Sequence, residues 1–127
     1  MRGAPCRPTG CWRCRSPRRA LGGTGGGGTN PEQLFAAGYA ASFLHAIQDV
    51  AARDTLAIPL ESWVEATVGV GTIPQGFGIE VELRIALPGL SDRAAEALIN
   101  TAHEVCAYSN ATRGNIAVRL VLVSSQA

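Results

Sequence analysis

Hydrophobic positions run through residues 35 to 48 without leaving a polar side. In "FAAGYAASFLHAIQ", residues 35 to 48, alanines, aromatics and branched aliphatics occupy every helical face, and only Ser42 and His45 interrupt them before Gln48. A helix that is apolar all round belongs inside a protein rather than on its surface. Its start is well marked: Asn30 is placed as N-cap, Pro31 at N1, Glu32 in the first turn and Gln33 at N3, which predicts a helix from about Pro31 to about Arg53. After "DTLAIP" the period falls to two. "SWVEATVGV" places Trp63, Glu65 and Thr67 on one face, and "IEVELRIAL" places Ile79, Val81, Leu83 and Ile85 on one face, so both read as half-buried strands. The intervening "GTIPQGFG" is turn material, which makes the pair a hairpin.

Ser91 then caps a second helix, "DRAAEALINTAHEVC", whose apolar positions Ala94, Ala95, Leu98, Ile99, Ala102 and Val105 recur at three and four. "AYSNATRGN" reads as a loop and "IAVRLVLV" as a closing strand. The predicted order is helix, strand, strand, helix, strand, an α+β domain. Three strands cannot enclose both an all-apolar helix and an amphipathic one, so the expectation is a symmetric dimer in which a second subunit covers what one chain leaves open.

Composition adds limits. The 127 residues are 46% apolar and 17% charged, which suits one globular domain. No run reaches the roughly 18 apolar residues of a membrane span. The arginine-rich start is followed by "LGGTGGGG" and lacks an apolar segment, so no secretory signal is expected and the compartment read from the sequence is the cytoplasm. The net charge of +1 conceals an asymmetry, because residues 1 to 20 hold six of the eleven arginines and no acid, leaving five arginines against ten acids in the body. Such a run can bind nucleic acid, but without lysine and with Trp12 as its sole aromatic residue it reads as a solvated, disordered tail with no nucleic-acid role. Cys6, Cys11 and Cys14 lie there too, and "CWRC" has the spacing of redox dithiols and half zinc sites. A structural zinc wants four ligands and a redox pair wants a helix N-terminus behind it; neither follows, so no metal site is expected. Two segments are thus delimited, a tail at 1–20 and a domain at 21–127.

Ser42 has an ordinary reading, as a small residue in tight helix packing that bonds back to a carbonyl one turn earlier. A second reading comes from "GTNPEQLFAAGYAASF" (28 to 43) and "VCAYSNATRGN" (105 to 115), which resemble the two signature regions of the organic hydroperoxide resistance (Ohr) proteins of the OsmC family. The similarity runs from about Ser16 to the C-terminus. It implies an OsmC/Ohr-like fold, with two central helices packed on an antiparallel sheet in an intertwined homodimer. It also implies a thiol peroxidase that reduces organic and fatty-acid hydroperoxides, with no bound cofactor and with the dihydrolipoyl dithiol of a lipoylated protein as reductant.

Carried over position by position, the family's peroxidatic cysteine falls at Ser42, its resolving cysteine at Cys106 and an active-site glutamate at Glu32. An arginine that the family places on N-terminal strands has no counterpart, and those strands are missing, replaced by "MRGAPCRPTGCWRC". The expectation is that this stretch is a wrongly read start in an arginine-rich frame. An alcohol has no oxidised state equivalent to a sulfenic acid, so a chain with Ser42 is expected to be an inactive member of the family. The alternative is a non-enzymatic relative that binds acyl chains or a partner. Pairing Ser42 with His45 as a hydrolase lacks any nucleophile elbow or oxyanion motif. Where the family has proline after the resolving cysteine this chain has Ala107, so the second helix is not expected to stop there. Arg113 is read as ordering its loop, Gly114 as serving a positive φ, His103 as a polar-face residue, and Trp63 and Tyr39 as core or dimer contacts.

Overall fold

The computed structural model describes residues 30–124. The tail at 1–20, its cysteines and the question of the N-terminal strands lie outside the described residues. Helix α1 spans Pro31–Arg53, as its start signals require, and the Asn30 side chain accepts a hydrogen bond from the Gln33 N–H at 2.9 Å. Strands β1 (Trp63–Ile73) and β2 (Gly76–Ala86) form the expected antiparallel hairpin. Its turn shrinks to Pro74 and Gln75, because the backbone ladder continues through Gly71 and Gly78 where no apolar alternation marks it.

Helix α2 covers Asp92–Val105, with the Ser91 side chain accepting from the Ala94 N–H at 3.2 Å. Three expectations fail beyond it. The segment read as a loop contains a helix, α3 (Ala107–Thr112), and α2 does stop before Ala107, with Cys106 in an extended conformation (φ −65°, ψ 127°) between the two. Strand β3 (Val118–Leu122) then pairs with β2 in parallel, so the sheet is mixed rather than antiparallel, in the order β1-β2-β3. The reason is topological: α2 and α3 carry the chain back to the end where β2 began, and a crossover of that length delivers a parallel strand.

Val64, Ala66 and Val68 of β1 and Val81, Leu83 and Ile85 of β2 form the buried face of the sheet. They pack with Tyr39, Phe43, Ile47 and Val50 of α1 and with Leu98, Ile99 and Ala102 of α2 in one core. Ala94 and Val105, placed on the apolar face by periodicity, are exposed. The opposite face of the sheet is polar, with Arg84 donating to Glu65 at 3.5 Å and Arg119 bonded to Glu82. Helix α1 is covered by β1 on one side and by α2 and α3 on another, while Leu34, Ala37, Gly38 and Ala41 stay half-buried and His45 and Asp49 are exposed. No helix among the described residues is long and apolar enough to cross a membrane.

Candidate active site

Ser42 lies midway along α1 and faces the end of α2. Its Oγ is 3.4 Å from Cys106 Sγ, and Cys106 is the free cysteine among the described residues, with 1% of its surface exposed. The structure therefore brings together two residues 64 positions apart that the family resemblance had paired. His45 is exposed, and the side chain that meets the Ser42 hydroxyl among the described residues is Cys106.

Glu32 is not at that contact. Helix α1 is continuous between Glu32 and Ser42, and ten residues of α-helix at 1.5 Å each separate them by about 15 Å along the axis. Glu32 is nonetheless buried, and its Oε2 has no hydrogen-bond partner among the described residues. A carboxylate oxygen removed from water without a donor is costly, so the position calls for a donor from outside the described residues.

Between these two points an aromatic cluster clamps α3 onto α1. Phe35 and Tyr39 meet edge to face with centroids 6.0 Å apart, and the Tyr108 ring lies 5.6 Å from Tyr39. The close approach depends on Gly38, where a Cβ would stand 2.8 Å from the Tyr108 hydroxyl. Gly114, just past α3, has the positive φ expected of it, 78°.

Beneath the cluster is a group of polar bonds that the pattern reading missed. Ser109 is fully buried, and its Oγ lies 2.8 Å from Tyr39 OH and 2.8 Å from His103 Nδ1. Thr112 Oγ1 donates to Tyr108 O at 2.9 Å and sits 3.3 Å from Tyr39 OH. Arg113 donates to His103 O and to Asn110 Oδ1, each at 2.6 Å, which fits its reading as an ordering residue. Burial lowers the His103 pKa below 6.5, the Arg113 charge adds to the effect and Glu104 opposes it. The neutral ring is thereby favoured, and its Nδ1 can accept the Ser109 hydroxyl hydrogen. The signal available in the sequence was the i, i+4 placement of Tyr108 and Thr112 around Ser109, which the polar composition of "AYSNATRGN" obscured.

The fold agrees with what known proteins show. Residues 23–121 match the model of the OsmC-like protein family, and the chain belongs to the OsmC family. Within it the chain falls among the organic hydroperoxide resistance proteins. It is 60% identical over 107 residues to the organic hydroperoxide resistance protein of Xanthomonas axonopodis pv. citri, covering 84% of this chain and 75% of that one. Among solved structures it is similar to an organic hydroperoxide resistance protein from Elizabethkingia anophelis, with TM-score 0.80 and 46% identity over 87% of this chain and 79% of that one. OhrB of Bacillus subtilis superposes with TM-score 0.73 at 46% identity, covering 78% of this chain and 73% of that one.

Proposed function

We propose that this chain has the scaffold of a thiol peroxidase acting on organic and fatty-acid hydroperoxides, and that it is silent in that reaction because its reactive position carries Ser42. The observation that carries the reading is the 3.4 Å contact between Ser42 Oγ and Cys106 Sγ, which joins the positions of an attacking and a resolving group. With sulfur at position 42, a thiolate attacks the peroxide oxygen, the O–O bond breaks, an alcohol leaves, and the sulfur becomes a sulfenic acid. The Cys106 thiol then attacks that sulfur, water leaves and a disulfide forms. A dithiol, by family resemblance the dihydrolipoyl group of a lipoylated protein, returns both sulfurs to thiols by exchange. With oxygen at position 42 the first step has no product, and no neighbouring base restores it.

Glu32 enters the proposal through its burial. It is too far along an unbroken α1 to serve Ser42 of its own chain, so its role in one site with Ser42 requires a homodimer with two sites at the interface. The half-buried strip of α1 and the exposed Phe77, Ile73 and Leu60 supply apolar surface for such a contact.

The test is Ser42→Cys treated with cumene hydroperoxide, followed by peptide mapping, with Ser42→Cys plus Cys106→Ala as control. The expected result is one bridge per chain between the introduced thiol and Cys106. A disulfide requires Cα atoms about 4.4 to 6.8 Å apart, which side chains already in contact favour. An introduced thiol that neither bridges nor oxidises would give the protein to the alternative reading, a non-enzymatic relative that binds acyl chains or a partner.

A further inference from the structure

The break between α2 and α3 is the feature that places Cys106, and local sequence does not account for it. Cys106 N–H still donates to Ala102 O at 2.8 Å, completing the last α-helical bond, and the extended ψ at Cys106 then turns the chain away. Ala107, which follows, is the residue most favourable to continuing a helix. In a continuous helix His103 O would accept the N–H of residue 107. The break orphans that carbonyl, and Arg113 donates to it in place of the backbone, as a basic side chain does at a helix C-terminus. Ser109, on the far side of the break, is held at the same time by Tyr39 of α1 and His103 of α2. All three bonds depend on the chain turning at Cys106.

We propose that the hydrogen-bond chain Tyr39–Ser109–His103, closed by Arg113 on the His103 carbonyl, is the positioning device that holds the Cys106 thiol against residue 42. It does here what a helix-stopping proline at 107 would do locally. Tyr39, Ser109, His103 and Arg113 touch no reacting atom; they fix the hinge on which Cys106 sits. The inference rests on the proposed function only in taking Cys106 as the resolving thiol.

The test uses the full chain carrying Ser42→Cys, equilibrated in glutathione redox buffers, where oxidised glutathione takes the electrons of the two thiols and leaves as two reduced molecules. Peptide mapping of the bridge to Cys106 gives the effective concentration of the two thiols for each other. Adding Tyr39→Phe, Ser109→Ala or Arg113→Gln is expected to lower it about tenfold, the equivalent of one hydrogen bond of about 1.4 kcal/mol. Val68→Ala, a core truncation away from the hinge, is expected to lower the melting temperature and leave the effective concentration unchanged. Adding Ala107→Pro to the Ser109→Ala protein should restore it, because proline is accepted at the first position of α3 and the extended Cys106 backbone suits the residue before proline. Hinge variants that bridge as well as their parent, or that fall only in step with Val68→Ala, would overturn the proposal. So would a parent that never bridges. No peroxide enters the measurement, so a parent that bridges in glutathione yet ignores cumene hydroperoxide overturns the peroxidase reading alone.

Discussion

Two points on the same helix are completed in different ways. Around Ser42 the surroundings come from one chain: Cys106 meets it from the end of α2, and Ser109, Tyr39, His103 and Arg113 satisfy one another beneath. About three turns earlier Glu32 is more deeply buried than Ser42, yet its Oε2 has no partner among the described residues. The difference separates what packing among the described residues supplies from what it does not. The pairing of positions 42 and 106 is a property of how α1 and α2 pack, whereas the carboxylate needs a group that this packing does not bring.

The largest loss is expected at Tyr39, which belongs to the self-contained half. Tyr39→Ala removes a fully buried ring together with its bond to Ser109 and is expected to cost about 3 to 5 kcal/mol in urea denaturation. A cost below about 0.5 kcal/mol would mean that the α1–α3 clamp contributes little, since that is the range of an ordinary surface change.

Glu32 tests the other half. If its donor belongs to the proposed second subunit, Glu32→Ala removes a charge-assisted bond of about 1.5 to 3 kcal/mol and raises the dimer dissociation constant roughly ten- to a hundredfold. Cys106→Ala, inside the self-contained half, should leave that constant unchanged. Sedimentation equilibrium reads both. A monodisperse monomer at micromolar concentration, or equal effects of the two substitutions, would erase the distinction.

The smallest effect is expected from pH. Because burial lowers the His103 pKa in the folded chain, the unfolded chain binds more protons between that value and 6.5. The associated stability is fully present above 6.5 and is lost as pH falls from there through the lower folded value. The site is partly solvated, so the expected change is a shallow decline in melting temperature on acidification, flattened in His103→Gln. An equally steep decline in that variant would place the titration elsewhere.

Caps and periods made much of the fold legible. Asn30, Pro31 and Ser91 mark helix starts with groups that satisfy orphan N–H donors, and the two-residue period of 63–70 and 79–87 marks strands with one buried face. These signals are local, so a single chain read in one dimension contains them. The pairing of Ser42 with Cys106 was legible only through resemblance to a family, because no spacing rule joins residues 64 apart. Three features were decided by tertiary structure alone. The helix break at Cys106 runs against the preference of Ala107 and depends on bonds from α1 and from Arg113. The parallel pairing of β3 with β2 follows from where a crossover returns the chain. The burial of Ser109 within a run of polar residues follows from Tyr39 and His103 converging on it from two other helices, and a hydroxyl's partners, unlike its helix propensity, are set by which elements meet.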